Sequence, residues 1–169
     1  KAFLKSPLDF FRISSRFNRR RFHPVLKRVK PHLGTDYAAP RGTPIRTTAD
    51  GVISKTGHTR GNGNYVKVRH NGTYSTQYLH MSKIKKGIRQ GVAVTQGDVI
   101  GYVGSTGLAT GPHVCYRFWK NGQQVDPLKE KLPEAKTIEE VYNEPLQLLC
   151  DSVRPQLDRL MEEEMTRLP

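Results

Sequence analysis

The sequence has few cysteines and no long hydrophobic run, and both deficits restrict what it can be. Cys115 and Cys150 are its only cysteines, too few for a disulfide framework. No apolar stretch reaches the roughly 20 residues that a membrane-spanning helix requires, so we predict no membrane span. The chain begins at Lys1 rather than Met. We therefore expect a longer protein whose targeting segment lies outside this sequence.

Acidic residues are also scarce. The chain has 15 Asp and Glu against 28 Lys and Arg, a net charge of +13, which favours an anionic partner such as nucleic acid, lipid or cell-wall polymer. The excess is concentrated in residues 1–30, where the stretch 15–28 shows no clear periodicity. We interpret 1–30 as an irregular basic arm. Because no recognition helix or aromatic-interleaved basic strand is visible, we predict no nucleic-acid partner.

The middle of the chain has the pattern of an antiparallel β-protein. Between Thr35 and Trp119, short runs rich in Val, Ile, Thr and Tyr alternate with turn signals. Asn71-Gly72 lies between two alternating runs, which predicts a hairpin with a type I′ turn. Asn121-Gly122 predicts a second tight turn after a strand that ends at Trp119. A chain of 169 residues suits one such domain with a tail.

The character of the sequence changes after Pro127. We place a core at 31–130 and a helical C-terminal extension at 131–169. Thr137 to Glu140 is typical of a helix start, and apolar residues then recur at spacings of three and four, which predicts an amphipathic helix that packs on the sheet or on another copy. These residues are Leu146, Leu149, Val153, Leu157, Leu160 and Met161.

Three short segments carry candidate chemistry. His32 and Asp36 are four residues apart, about 13 Å in a straight strand, so they could share a metal ion only if the chain bends at Gly34. His113 and Cys115 are separated by one residue and would face the same side of a strand. Tyr78-Leu79-His80 ends the returning strand of the hairpin.

Several of these segments occur together, in a fixed order, in one known family. They are HLGTD, ADGVI, GNGNYVKVRH, YLHMSKI, GVAVTQGDVIGYVGSTGLATGPHVCYRF and NGQQVDPL, preceded by the basic arm. From about Arg12 to Leu128 the sequence resembles the lysostaphin-type zinc metallopeptidases, which cut peptide bonds in bacterial peptidoglycan. The resemblance implies a mainly β, antiparallel, barrel- or sandwich-like peptidase core, one zinc ion per chain, peptidoglycan as the partner and action in the bacterial cell envelope.

The resemblance also implies roles for particular residues. His32 and Asp36 match two zinc ligands, and Cys115 stands where the family has its third, a histidine. His80 and His113 match the two histidines that flank the catalytic water. In addition we expect Tyr78, Arg21 and His23 to contact the substrate.

Two departures from the family pattern leave alternatives open. Cys115 replaces the ligand histidine, and Arg117 stands where an acid usually follows. Zinc accepts thiolate readily, so we expect a zinc endopeptidase. The alternative is a catalytically degenerate relative that binds cell-wall peptide or regulates another hydrolase, because a fold can outlast its chemistry.

Overall fold

The structure is a computed structural model that describes residues 3–23, 28–130, 132, 147–156 and 159. The chain divides into two compact units, Lys1–Glu134 and Ala135–Pro169. In the second unit a helix covers residues 147–156, which confirms a C-terminal helix; its predicted start at Thr137 to Glu140 lies outside the described residues. No helix in the described ranges has the length and apolar character to cross a membrane.

The first unit consists of short strands, and every pair of neighbours is antiparallel. This confirms the predicted fold class. The described strands are β1 Arg12–Ser15, β2 Asn18–His23, β3 Arg28–His32, β4 Thr35–Ala38, β5 Pro44–Arg46, β6 Gly51–Thr59, β7 Gly63–Arg69, β8 Tyr74–Met81, β9 Lys83–Ile84, β10 Ala93–Val94, β11 Val99–Tyr102, β12 His113–Lys120 and β13 Gln123–Val125.

The strands form three sheets. The large sheet has the order β1-β4-β12-β8-β7-β6-β10, with β13 paired to β12, and β5-β11-β9 and β2-β3 form the two smaller sheets. Ile45 of β5 and Ile100 of β11 pack in one buried cluster with Val66, Val114 and Phe118 of the large sheet. The large sheet and the β5-β11-β9 sheet thus share one hydrophobic core.

Strand β12 has two chemically different faces, and this positions the site. Its even-numbered residues Val114, Tyr116 and Phe118 lie in the core. Since side chains alternate along a strand, His113 and Cys115 face the other side. Cys115 is paired with Asp36 of β4 on one flank and with Leu79 of β8 on the other.

The turns agree only partly with the sequence prediction. Asn121 and Gly122 both have positive φ and join β12 to β13 in register, as a type I′ turn requires. The β7–β8 hairpin is also confirmed, but its predicted turn type is wrong, because neither Asn71 nor Gly72 has positive φ. The Asn71 side chain instead accepts hydrogen bonds from the amides of Thr73 and Tyr74, both at 2.8 Å, as in an Asx turn.

The basic arm is more regular than its sequence suggests. We expected an irregular segment, but β1 pairs with β4 and β2 pairs with β3. A register irregularity interrupts each of these pairings, and such irregularities mask the alternation by which strands are recognised. The arm thereby becomes one wall of the site described next.

Candidate active site

Three side chains of the first unit converge to form a candidate metal site. The ligand atoms of His32, Asp36 and Cys115 all lie within 4.8 Å of one another, and all three residues are buried. His32 Nε2 is 2.9 Å from Asp36 Oδ1 and 3.6 Å from Cys115 Sγ. The structure therefore brings together the three residues that the sequence analysis named.

The bend that joins His32 to Asp36 does occur at Gly34, but for a different reason than expected. Its φ lies outside the left-handed region. Instead, a Cβ on Gly34 would stand 2.9 Å from Cys115 Sγ, 2.9 Å from the Tyr116 carbonyl oxygen and 3.0 Å from Arg117 Cγ. Gly34 is needed because β12 passes too close for any side chain.

This close approach leads to a prediction. We expect Gly34→Ala to lower the free energy of unfolding by about 1–3 kcal/mol, the usual effect of overpacking, and to reduce metal binding because Cys115 must move. Urea unfolding and zinc content would be measured on the same samples. Gly72→Ala is the control, since a Cβ there meets nothing within 4 Å. Equal behaviour of the two variants would contradict the proposed crowding.

The ring of His32 is fixed by the basic arm. Its Nδ1 lies 3.0 Å from the carbonyl oxygen of Arg16, which can only accept, so Nδ1 carries a proton. In the neutral ring Nε2 then presents a lone pair to the Asp36 carboxylate. Two facing lone pairs at this distance require a cation between them, either a proton or a metal ion. A ligand histidine held through its other nitrogen is the usual arrangement at metal sites.

The donor set and its spacing fit zinc. Zinc binds nitrogen and oxygen at about 2.0–2.2 Å and sulfur at about 2.3 Å in tetrahedral geometry. Ligands so placed lie roughly 3.3 Å apart for N and O and roughly 3.6 Å apart for N and S. The observed 2.9 Å and 3.6 Å are close to these values. Three protein ligands would leave a fourth position open, as in catalytic zinc sites.

The electrostatics of the two acidic ligands differ. Burial raises the pKa of Asp36, but the hydrogen bond and charge of His32, together with His113, outweigh burial and leave the pKa below its usual value. Burial and the nearby Asp36 charge raise the pKa of the Cys115 thiol far above normal, although Arg117 opposes them. Without a metal ion, Asp36 is therefore ionised while Cys115 is a protonated thiol.

Two further histidines stand beside this cluster. The rings of His80 and His113 are 4.8 Å apart, and His113 Nε2 is 3.8 Å from Asp36 Oδ1. Nδ1 of His80 donates to the Thr106 carbonyl at 2.7 Å, and Nδ1 of His113 donates to the Gly111 carbonyl at 2.8 Å. In both rings the proton of Nδ1 is thereby engaged by a backbone carbonyl, and Nε2 is the nitrogen left for other partners.

The protonation of His80 is set by its surroundings. Burial lowers the pKa of His80 to about 4; the charges of His113 and Arg117 act in the same direction, and the hydrogen bond to Thr106 and the charge of Asp36 oppose them. The ring is therefore neutral at physiological pH and can accept a proton. Its backbone has φ of 63°, a left-handed conformation that non-glycine residues adopt rarely and mostly where the surrounding structure holds it.

The left-handed backbone at His80 explains why the prediction for Tyr78 was wrong. Tyr78 was expected to contact substrate because residues i and i+2 of a strand share a face. The positive φ of His80 ends that alternation, and Tyr78 stays fully buried in the core, where its hydroxyl accepts a hydrogen bond from the Thr48 amide at 2.9 Å. Tyr78 does not line the cleft.

The other two expected substrate contacts lie in the arm. Arg21 lines the cleft; its Nη1 donates to Ser15 Oγ at 2.5 Å and lies 3.7 Å from Asp36 Oδ2. His23 ends β2, and its side chain lies outside what the structure describes. The part of the arm placed near the cleft is thus the segment around Arg21.

The metal cluster and both histidines open into one cleft of about 450 Å³. Sequence reasoning missed the groups that orient its histidines, because three of them are backbone carbonyls, of Arg16, Thr106 and Gly111, and a carbonyl has no side-chain signature. The glycine-rich stretch before His113 was the only sequence feature that pointed to a loop beside these histidines. The cleft is lined by Ser14, Ser15, Arg21, Phe22, Pro31, His32, Leu33, Asp36, Gly61, Asn62, His80, Leu108, Ala109, Thr110, His113, Cys115 and Arg117.

The fold and the cluster together place this unit in the class of metallopeptidase domains. Comparison with known proteins gives the family: residues 30–127 match peptidase family M23. The chain belongs to this family, and the lysostaphin-type resemblance predicted from the motifs is confirmed.

Individual relatives agree with this assignment. The chain is 50% identical over 138 residues to peptidoglycan DD-endopeptidase ShyC of Vibrio cholerae, covering 82% of this chain and 31% of the relative. It resembles the crystal structure of a zinc-containing peptidase from Vibrio cholerae with a TM-score of 0.73 and 40% identity, over 79% of this chain and 41% of the other.

A comparison with a smaller protein shows how far the shared fold extends. The catalytic domain of lysostaphin from Staphylococcus simulans matches with a TM-score of 0.61 and 27% identity, over 70% of this chain and 90% of that domain. By contrast, the chain spans about a third of the length of the curated endopeptidases that it matches.

Proposed function

We propose that this chain is the catalytic part of a zinc-dependent endopeptidase that hydrolyses peptide bonds in bacterial peptidoglycan, acting in the cell envelope. The observation that carries the proposal is the convergence of His32, Asp36 and Cys115 beside His80 and His113, in a cleft open to solvent. The relatives named as peptidoglycan DD-endopeptidases support the choice of substrate. The net charge of +13 suits an anionic wall.

The residues divide into two roles. His32, Asp36 and Cys115 would hold one zinc ion, which when bound supplies Lewis-acid activation of water and of the scissile carbonyl. His80 and His113 both line the cleft, and each is held through its Nδ1 so that its Nε2 is free of that hydrogen bond. One can accept a proton from the attacking water, and once protonated, a histidine can return it to the leaving amine or stabilise negative charge on oxygen.

A second function has one observation in its favour. Cys115 replaces a neutral ligand by an anionic one, which cancels positive charge on the metal and weakens its effect on water. The thiol must also lose a proton that its surroundings retain. A relative that binds cell-wall peptide without cutting it would have the same cleft and the same basic arm.

One experiment distinguishes the two functions. Protein purified without chelators is expected to contain about one zinc per chain and to release soluble peptide from purified peptidoglycan. A chelator should abolish this release, and added zinc should restore it. Full zinc content with no release, but with retention on insoluble peptidoglycan, would favour the non-catalytic binder. Absence of zinc under zinc-replete conditions would contradict the proposed enzyme.

A further inference from the structure

Arg117 occupies a position in the cleft that the proposed chemistry does not use. It follows His113 and Cys115 on the same face of β12, so its Cα lies about 7 Å beyond that of Cys115. Arg117 Cγ and Cys115 Sγ both border the space above Gly34, and Arg117 lines the cleft. Along this face of β12 the order is therefore His113, the candidate metal ligand Cys115 and then Arg117.

No carboxylate in the described part of the chain pairs with Arg117, whose charge acts instead on the Cys115 thiol beside it. The only carboxylate that lines the cleft belongs to Asp36, whose Oδ1 is shared with His32 and whose Oδ2 faces Arg21. Among the described residues, Arg117 forms no ion pair with a carboxylate. Its buried Nε also lacks a hydrogen-bond partner there.

This arrangement leaves a fixed positive charge beside the reacting centre. The charge of Arg117 reaches two groups of the site: it adds to the lowering of the pKa of His80, and it opposes the increase that burial and Asp36 cause in the pKa of Cys115. A guanidinium in a half-buried position is costly unless an anion compensates it. Its planar donors match a carboxylate better than any other common anion of peptides, with two parallel hydrogen bonds.

We propose that Arg117 binds a free carboxylate of the substrate on a residue adjoining the scissile peptide bond, on the side of Cys115 away from His113. This inference rests on the proposed function and extends it from peptide hydrolysis to a substrate class. The cleft would select peptides whose carboxylate next to the cut bond is free and disfavour those in which it is amidated.

The test uses binding rather than turnover, so that it stands apart from the test of the proposed enzyme. The probes are dansyl-D-alanyl-D-alanine, which has one carboxylate beside its peptide bond, and the same compound as its C-terminal carboxamide. Dissociation constants would be measured by fluorescence with zinc-loaded protein. We expect the free acid to bind about tenfold more tightly, the usual gain from a hydrogen bond to a charged group.

Variants test whether Arg117 causes the preference for the free acid. Arg117→Gln is expected to equalise the two probes by weakening only the free acid, and Arg117→Lys to keep part of the preference. Arg89→Gln removes the same charge from an exposed residue outside the cleft and should behave as the wild type. The zinc content of each variant is measured alongside.

Three results would overturn the proposal. The first is that the wild type binds the free acid and the carboxamide equally well, at any affinity. The second is that the preference for the free acid survives Arg117→Gln. The third is that both Arg117 variants lose zinc together with the preference. The last would assign Arg117 to support of Cys115. The proposed enzyme is tested by different measurements, the zinc content and the peptide release of the wild type, so the two proposals can fail independently.

Discussion

Asp36→Ala and His32→Ala are each expected to remove zinc and to abolish peptide release. Each variant deletes one of the three donors that lie within 4.8 Å of one another. Loss of an outer hydrogen-bond partner already costs 10–100-fold in metal affinity, so loss of a ligand should cost more than about 100-fold. Zinc would be measured by elemental analysis after dialysis, and release by the amount of soluble peptide from purified peptidoglycan.

Matched variants make this expectation specific. Asp9→Ala and His58→Ala remove the same chemical groups from exposed residues outside the cleft and should retain zinc and activity. His80→Ala should retain zinc but lose about 10²–10⁴-fold in rate, the usual contribution of a general acid or base. If Asp36→Ala kept its zinc, the metal would have to be bound elsewhere.

Cys115→His is expected to raise turnover. The change replaces an anionic ligand by a neutral one, so that the zinc ion stays more positive and acidifies water more strongly. Each pKa unit gained is about a tenfold change in the ionised fraction of that water, so we expect a rise of about tenfold.

Cys115→Ser is the counterpart and should act in the opposite direction. A neutral hydroxyl is a poor zinc ligand, so both zinc content and rate should fall. The two variants would be compared with the wild type for metal and for peptide release on the same preparations. If Cys115→Ser equals the wild type in both, Cys115 is not a ligand but a small residue packed against Tyr65 and Leu79.

Much of the fold was predictable because its strands are short and their turns have clear chemistry. Asn121-Gly122 predicted the tight turn, and the type found there is the one that this pair favours, since both residues have positive φ. At Asn71-Gly72 the same dipeptide predicted the hairpin but not the turn, because the Asn71 side chain satisfies two backbone amides and makes positive φ unnecessary. In the arm, register irregularities hid β1 and β2.

The metal cluster was predictable from motifs, whereas its surroundings were not. The bend at Gly34 followed from the need to bring His32 and Asp36 together. The sequence could not show that β12 lies too close to Gly34 for a side chain there. This contact depends on pairing between segments about 80 residues apart. Tyr78 was misplaced because strand alternation was extended through His80, where the left-handed backbone interrupts it.

The supports of the three cleft histidines come from two separate pieces of chain. His32 is held by the carbonyl of Arg16 in the arm, whereas His80 and His113 are held by carbonyls of a single loop, at Thr106 and Gly111. The group that orients a metal ligand and the groups that orient the two proton-transfer histidines therefore belong to different segments. Exchanging the 104–112 loop for that of a relative should change catalytic rate more than zinc affinity, whereas a change in the arm at Arg16 should act first on zinc affinity.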